Sequence, residues 1–329
     1  MSTMLDIIVT HYNEPWETGK KLFSMLDLQR GIDFARIGVI LVNDGEENKL
    51  PAECFEGRPY RVTQISIPHA GVSAARNAGL KASEAEWVAF CDFDDTYTNI
   101  YSLKTILDVL PAPDYDMLKG DLIAEDFMDG KTSLTLSPEI ACMVFLHGKF
   151  YRRSFLLRHD IWFDEELNFN EDSEFNAIVN TCIDYTRIGN FKSFTPIYAW
   201  CRRPMSVTSS PGQTDAATWG HYRRNLKVCD ATLKRMPLDH FRGMITRTCY
   251  DTYFMCHSSK VSEDMKARIR NNFRPYYMKY KAFFGVSDQD TLEKIIAIAR
   301  AELSDGDENI PVDSETLRSW LDKLEREEE

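Results

Sequence analysis

Apolar residues in the first part of the chain come in short runs bounded by polar residues, a pattern typical of buried β-strands. Strands are predicted at residues 5–10, 37–42, 61–67 and 87–91. Apolar or small residues at helical spacing predict helices over 15–29 and 71–82. Strands that alternate with helices in this way predict an α/β fold built on a doubly wound, mostly parallel sheet.

The pattern becomes less regular after residue 100 and then helical. Predicted elements are a helix over 102–110, flanking strands over 116–123 and 132–136, a short helix at the end of 148–156, a helix over 173–182, and strands over 185–188 and 197–201. From Thr214 onward the pattern is helical, with breaks near Pro237, 258–263 and Ser287. We therefore predict two domains, a catalytic domain over 1–212 and a helical region with an acidic tail over 213–329.

Charge is distributed unevenly along the 329 residues. The formal net charge is −12, and residues 302–329 hold eleven acids against three bases. The remainder is close to neutral, so we expect no broad binding to a nucleic-acid backbone. The eight cysteines form no CxxC pair, no apolar run is long enough to cross a bilayer, and the first residues lack the features of a signal peptide. These features predict a cytoplasmic protein with free thiols.

Three carboxylates follow the apolar strand at 87–91. Asp92, Asp94 and Asp95 lie at its carboxyl end, where open α/β sheets place their ligands. In an extended chain Asp92 and Asp94 point to the same side and can share one hard cation. A helix cap is the structural alternative, because Asp95 could cap a helix that starts near 96–100. Capping accounts for one of the three acids, so we favour a metal site.

Polar or aromatic residues also follow the other predicted strands. Thr10 and Tyr12 end the first, Asp44 follows the second, and Arg76 lies in the helix after the third. A doubly wound sheet gathers these positions in one crevice, where an aromatic face, a carboxylate and an arginine suit a nucleotide. Each has a structural alternative: strand-end packing for Thr10 and Tyr12, a turn at Asp44, and an ion pair with a nearby acid for Arg76.

Several motifs resemble, in order, those of the inverting family 2 glycosyltransferases, which have a GT-A fold. They lie at 7–14 (Ile-Ile-Val-Thr-His-Tyr-Asn-Glu), 42–45, 70–79, 92–95 (Asp-Phe-Asp-Asp), 148–156, 170–172 (Asn-Glu-Asp) and 202–208. The family's second strand normally ends in two consecutive acids. Here the first is Asn43, so only Asp44 carries over. The resemblance covers residues 5–210 and leaves the helical region outside it.

The resemblance implies transfer of a hexosyl or N-acetylhexosaminyl group from a nucleotide sugar, with UDP as the expected nucleotide. Mn²⁺ or Mg²⁺ would offset the charge of the leaving diphosphate. Asp92 would contact the ribose or the metal, and Asp94 would ligate the metal. The nucleotide would be contacted by the residues of the strand ends and the following helix, namely Thr10, Tyr12, Glu14, Asp44, Arg76 and Asp92.

The resemblance also implies a base and a loop. Single displacement with inversion needs a carboxylate that takes the proton of the acceptor hydroxyl, and Asp172 is the candidate, with Glu171 as the fallback. A helix-start role is the structural alternative for Asp172. Arg202, Arg203 and Ser206 would belong to a loop that closes on the diphosphate. The acceptor would be a glycan, a lipid-linked glycan or a protein.

Two questions stay open from the sequence, namely the function and the residue that completes the metal site. A nucleotidyltransferase and a catalytically silent sugar-nucleotide-binding module are the alternative functions. Asp95 or a histidine could complete the metal site, and His147 and His221 are the weaker candidates.

The helical region contains a segment of mixed basic and aromatic character. Residues 260–284 hold seven bases, two acids and six aromatic residues. Such a segment suits peripheral contact with an anionic membrane surface, at the inner face of the membrane, or with a polyanionic acceptor. In the alternative interpretation the aromatics pack internally and the bases pair with the acidic tail. We favour internal packing.

Overall fold

The computed structural model describes residues 3–128, 131–137, 145–167, 169–191, 196–202, 214–284, 297, 307, 309–311 and 313–326. The chain divides into two compact units, Met1–Ser210 and Pro211–Glu329. The first contains two β-sheets with helices, and the second is helical in its described part. The α/β fold with a helical C-terminal region is therefore confirmed, while the assignment of a catalytic domain to 1–212 and a separate region to 213–329 stays a prediction.

The first half of unit 1 alternates strands and helices as predicted. Its elements are β1 (Leu5–His11), α1 (Trp16–Asp27), β2 (Ile37–Asp44), β3 (Arg61–Ile67), α2 (Val72–Ala82), β4 (Trp87–Asp92), β5 (Thr96–Tyr97) and α3 (Ser102–Val109). The second half continues with β6 (Met117–Lys119), β7 (Leu122–Met128), β8 (Lys131–Ser137), β9 (Lys149–Arg152), α4 (Arg153–Arg158), α5 (Glu171–Cys182), β10 (Ile188–Asn190) and β11 (Tyr198–Arg202).

The larger sheet has seven strands in the order β10-β6-β9-β4-β1-β2-β3. β4, β1, β2 and β3 run parallel, and β9 is antiparallel to both of its neighbours. β1 and β2 are almost wholly buried because helices cover both faces of a parallel sheet. Parallel strands place their carboxyl ends on one edge, which collects the residues that follow β1, β2 and β4.

Close packing of α2 against this sheet depends on a glycine. A Cβ on Gly79 would lie 2.3 Å from the Cγ2 atom of Ile8, so only glycine permits this approach. Seven of the eleven residues of α2 are buried, among them Arg76. The small residues of this helix therefore bring a charged side chain against the edge of the sheet.

Two sequence predictions for strands are wrong. The run at 116–123 was expected to be one flanking strand, but β6 lies inside the larger sheet and β7 belongs to the smaller one, of order β5-β11-β7-β8. The break falls at Gly120, where a Cβ would meet Ile197 at 2.6 Å. Residues 185–187 form a 3₁₀ turn, because the Asp184 side chain accepts from the N–H of Thr186, and the strand begins only at Ile188.

Unit 2 is built from α6 (Thr214–Arg235), α7 (Leu238–His257), α8 (Glu263–Tyr280) and α9 (Ser314–Arg326). The predicted breaks near Pro237 and 258–263 are confirmed, and Ser287 lies outside the described residues. Within the described part of the chain, no helix combines the length and apolar character that crossing a membrane requires.

Candidate active site

The chain turns sharply where β4 ends. The N–H of Asp95 donates to the carbonyl of Asp92 at 3.1 Å, which closes a turn over Phe93 and Asp94. Phe93 points into the core of unit 1. The extended geometry predicted for Asp92 and Asp94 is therefore wrong, because the turn brings the carboxylate of Asp95 close to that of Asp92.

Asp95 joins this turn to β11. Its Oδ2 accepts from the Tyr198 hydroxyl at 2.7 Å, and its Oδ1 accepts from the N–H of Cys201 at 2.8 Å. α3 begins only at Ser102, so the helix-cap alternative for Asp95 is wrong. The acid instead connects the smaller sheet to the carboxyl end of the larger one.

Asp92, Asp95 and His147 form a group that could hold a metal ion. One ligand atom from each lies within 4.8 Å of the others. The Nε2 atom of His147 is 3.8 Å from Asp92 Oδ2 and 3.4 Å from Asp95 Oδ2. Its Nδ1 atom is buried and has no hydrogen-bond partner among the residues that the structure describes. Two carboxylates and an imidazole fit a divalent cation such as Mn²⁺, and Asp94, partly buried in the turn, lies outside this group.

The charges of Asp92, Asp95 and His147 shift one another's pKa values. Burial, together with the charges of Asp92 and Asp94, raises the pKa of Asp95 to about 7 against the opposing charge of His147. Burial also acts to raise the pKa of Asp92, but Arg76 and His147 outweigh it and hold that pKa below its ordinary value. Burial alone would lower the pKa of His147, but the nearby carboxylates of Asp92 and Asp95 raise it overall.

Arg76 connects the end of β4 to the start of α5. Its guanidinium donates to Asp92 Oδ1 at 2.8 Å and to Glu171 Oε1 at 2.7 Å, and 5% of the residue is exposed. The ion pair that the sequence offered as the structural alternative for Arg76 is thus present, with two acids rather than one. Contact between Arg76 and a phosphate stays a prediction.

Asp172 lies in the first turn of α5, next to the residue paired with Arg76. Its Oδ1 accepts from the N–H of Ser173 at 2.6 Å. Burial and the charge of Glu171 raise the pKa of Asp172 to about 6, although Arg76 and His147 act in the opposite direction. A carboxylate with this pKa can accept a proton near neutral pH. Glu171, held in its ion pair, is the less suitable base.

Three predicted nucleotide residues lie at or just beyond the carboxyl end of β1. Thr10 pairs in register with Asp92 on one side and Val42 on the other. Tyr12 follows the strand with 47% of its surface exposed. The carboxylate of Glu14 accepts from the N–H of Tyr12 at 2.8 Å, so Glu14 shapes the backbone that presents this ring.

Asp44, at the end of β2, accepts three hydrogen bonds. The donors are the Nδ1 atom of His69 at 2.9 Å and the N–H groups of Ala70 at 2.7 Å and Gly71 at 2.9 Å. The His69 ring also stacks on Tyr12, with ring centroids 4.4 Å apart. Sequence reasoning did not single out His69. The signal was its place two residues after β3, at the same edge of the sheet as Tyr12 after β1.

Asn43 stands where the family pattern has an acid, and its amide explains the difference. Its Oδ1 lies 3.1 Å from His11 Nδ1, and its Nδ2 donates to the carbonyl of Ile65 at 3.0 Å. A carboxylate could not donate to that carbonyl. Asn43 of β2 thus links His11 of β1 to Ile65 of β3, next to Asp44 in the chain. The sequence did not reveal this role.

The remaining predicted residues are less well placed. Arg202 is the last residue of β11, and Arg203 and Ser206 lie outside the described residues. His221 lies on α6 in unit 2, where burial and the positive charges of Arg224 and Arg247 lower its pKa to about 4. These positive neighbours oppose cation binding at His221. Of the two candidate histidines, His147 is the one that lies near Asp92 and Asp95.

Comparison with known proteins identifies the family. The family model described as glycosyl transferase family 2 matches residues 6–192. The chain belongs to this family. Its curated relatives include two Bacillus subtilis proteins, the uncharacterized glycosyltransferase EpsJ, 27% identical over 198 residues, and the minor teichoic acid biosynthesis protein GgaA, 26% identical over 190 residues. The matches cover 54% and 52% of this chain and 56% and 42% of those proteins, so the family 2 chain spans about half the length of these relatives.

Solved structures of TarS from S. aureus share the fold. TarS 1–349 in complex with UDP-GlcNAc superposes with a TM-score of 0.64 at 18% identity, over 99% of this chain and 93% of that one. The complex of TarS 1–349 with UDP gives a TM-score of 0.61 at 18% identity, over 99% and 92% of the two chains. The predicted family 2 membership and GT-A fold are therefore confirmed.

Proposed function

We propose that this chain is a metal-dependent, inverting glycosyltransferase that moves a sugar from a UDP-sugar to an acceptor hydroxyl. The observation that carries the proposal is the chain of contacts from Asp92 through Arg76 to Glu171, which is followed directly by Asp172. It places an acidic, cation-compatible group and a carboxylate of raised pKa around one buried guanidinium. Donor activation and proton removal need these two kinds of carboxylate close together.

The donor would bind across the carboxyl ends of β1, β2 and β4. Tyr12 offers an aromatic face and Asp44 a carboxylate for the base, while Arg76 offers a guanidinium for the diphosphate. Two TarS structures of the same fold hold UDP and UDP-GlcNAc, which supports a UDP-sugar. We therefore expect a hexosyl or N-acetylhexosaminyl donor.

Asp92 and Asp94 are the proposed metal ligands, and Asp95 and His147, which lie near Asp92, would complete the set. A bound Mn²⁺ or Mg²⁺ would offset the negative charge that develops on the leaving diphosphate. Asp95, already held by Tyr198 and Cys201, would fix the geometry of the site. Arg76 would neutralise part of the same charge from its position on α2.

Asp172 is the proposed general base. It would take the proton of the acceptor hydroxyl as that oxygen attacks the anomeric carbon, and a single displacement inverts the anomeric configuration. Its partial burial and its raised pKa favour proton acceptance near pH 6 and above. The acceptor classes that fit are a glycan, a lipid-linked glycan or a protein.

The two alternative functions, a silent sugar-nucleotide-binding module and a nucleotidyltransferase, differ from a glycosyltransferase in the residues they need and the products they release. A silent sugar-nucleotide-binding module would retain Tyr12, Asp44 and Arg76 but has no use for an acid such as Asp172. A nucleotidyltransferase would instead transfer the nucleotidyl group by cleavage between the two phosphates of the UDP-sugar, with sugar 1-phosphate rather than UDP as the leaving group.

The deciding measurement is product release from a UDP-sugar panel with Mn²⁺, followed by anomeric analysis. We expect release of UDP from at least one donor and a product of inverted configuration by NMR. Release of sugar 1-phosphate would favour the nucleotidyltransferase, and binding without turnover against a panel of acceptors would favour the silent module. A retained configuration would exclude single displacement.

A further inference from the structure

His69 makes the two contacts that the nucleobase of the donor would need. Its ring stacks on Tyr12, with centroids 4.4 Å apart and an angle of 21° between the planes. Its Nδ1 atom lies 2.9 Å from Asp44 Oδ2. Because the order of strands is β1-β2-β3, the residues that follow them are neighbours at one edge of the sheet. The imidazole therefore lies across the aromatic face and the carboxylate proposed for the base.

The proton on the His69 ring can be assigned from its partner. Asp44 is a carboxylate and can only accept when ionised, so Nδ1 of His69 is the donor. Uracil offers the same pair of features, a flat ring and an N–H group in the ring plane. The imidazole thus presents to Tyr12 and Asp44 the same pair of features that uracil would present.

The side chain of His69 is free to leave this position. Of its surface, 55% is exposed, whereas 5% of the Asp44 side chain is exposed. Asp44 also remains supported by the N–H groups of Ala70 and Gly71 when the imidazole moves away. The carboxylate therefore keeps its place for an incoming base.

We propose that His69 occupies the nucleobase position in the free protein and sets nucleotide affinity by competing with the base of the donor. The inference rests on the proposed function, because it assumes a nucleotide bound against Tyr12 and Asp44. Only molecules in which the imidazole has moved away from Tyr12 and Asp44 can bind the base, and they are a fraction of the whole population. The apparent dissociation constant is the intrinsic one divided by that fraction, so removal of the imidazole tightens binding.

The test is calorimetric titration of the full chain with UDP and, separately, with inorganic pyrophosphate, both with Mg²⁺. For His69→Ala we expect UDP to bind roughly three- to tenfold more tightly, since one aromatic contact and one hydrogen bond no longer compete. Pyrophosphate lacks a base, so its affinity should not change. His69→Phe keeps the ring on Tyr12 but cannot donate to Asp44, and should give an intermediate gain.

His240→Ala is the matched control, because His240 is an exposed histidine on α7. It should leave both affinities unchanged. A weaker affinity of His69→Ala for UDP would mean that His69 holds the base rather than competing with it, and would overturn the proposal. Equal affinities of His69→Ala and the unsubstituted protein would also overturn it.

NMR gives a direct view of the displacement. The Cε1 proton of His69, assigned by comparison with His69→Ala, is shielded while the ring lies on Tyr12, and UDP should shift it downfield. A signal that does not move at saturating UDP would contradict the proposal. If UDP binds neither the unsubstituted protein nor the variant, the proposed function fails; if UDP binds both alike, only the role of His69 fails.

Discussion

Asp172 shows how local surroundings separate a base from an ordinary helix-start acid. An aspartate in the first turn of a helix is common and stabilising. The carboxylate of Asp172 accepts a hydrogen bond from the N–H of Ser173, which acts to lower its pKa. The pKa of Asp172 is nevertheless raised. Burial and Glu171 account for the difference. The sequence pattern suggested the role, but the raised pKa depends on burial that no pattern displays.

Asp172→Asn keeps the shape and the hydrogen bond but removes the proton acceptor. We expect kcat to fall by roughly 10²–10⁴ while the Kd of UDP stays unchanged, since proton transfer contributes a factor of this size. Single-turnover kinetics and UDP titration measure the two quantities. Equal losses in both would indicate a structural or donor-binding role.

The raised pKa of Asp172 also predicts the acid limb of the pH profile. A base acts only when deprotonated, so kcat should be full well above pH 6 and should fall as pH drops through about 6. At one pH unit below the pKa, about a tenth of the carboxyl groups are ionised. Initial rates between pH 4.5 and 8 at saturating donor measure this limb. A rate that is flat down to pH 4.5 would exclude Asp172 as the base.

The metal assignment rests on the acids of the turn after β4. Asp94→Asn should lower turnover by at least about a hundredfold, if the cation supplies several kcal/mol to the leaving group. UDP release with Mn²⁺ measures it, with Asp239→Asn, an 87% exposed side chain on α7, as the control. His147→Gln, measured in parallel, shows whether the metal depends on the group of Asp92, Asp95 and His147 as well as on Asp94. Full activity of Asp94→Asn, or activity in excess EDTA, would contradict the metal assignment.

Among the elements, β1, β2 and β4 were predictable as runs of mostly apolar residues, and β3 as an alternation of apolar and polar residues. The strand bounds at β1, β3 and β4 follow the pattern within a residue. Two features escaped the pattern because they depend on distant partners. The break at Gly120 reflects a close approach of Ile197, and the pairing of Asp95 with β11 spans 103 positions to Tyr198. Local sequence carries no signal of either contact.

Asp95 makes the link between β4 and β11 testable. Asp95→Ala leaves the N–H of Cys201 without its acceptor and leaves the buried hydroxyl of Tyr198 only the Cys91 sulfur at 3.4 Å, and a lost partner of this kind costs about 1–3 kcal/mol. We expect a large fall in the free energy of unfolding by urea titration. Tyr198→Phe removes one donor but leaves no buried donor unpaired, so it should cost less. An Asp95→Ala variant as stable as the unsubstituted protein would mean that this link is dispensable.

At the scale of the whole molecule, the chain divides into two units, and the sequence resemblance reached only the first. The nucleotide and acid residues were predictable as a set, since a doubly wound sheet gathers its strand ends. Unit 2 carries no such motif, and its sequence shows only helical periodicity and charge. The placement of residues 260–284 therefore depends on contacts that only the structure supplies.

Those contacts favour internal packing. Phe273, Tyr277 and Tyr280 are buried, and the ring of Trp320 on α9 stacks on Phe273, with centroids 6.2 Å apart. Bases of the segment also meet the acidic tail. Arg274 donates to the carbonyls of Leu324 and Glu325 at 3.0 Å, and Lys281 pairs with Glu325 at 2.9 Å. Peripheral membrane contact and a cytoplasmic location stay predictions.

Unfolding of a Trp320 variant and liposome flotation together separate internal packing of residues 260–284 from membrane contact. Trp320→Ala should destabilise unit 2 by about 2 kcal/mol, less than the ~3–5 kcal/mol of a fully buried tryptophan, because Trp320 is half-buried. Thermal unfolding should show a lower Tm, whereas Leu238→Ala, at a 44% exposed position on α7, should change it little. The intact protein should not float with anionic liposomes at low salt, because three of the six aromatics that would insert are buried and the other three are half-buried. Flotation at low salt that is lost at high salt and abolished by Lys260→Glu with Lys279→Glu would instead assign the exposed bases of 260–284 to a membrane surface.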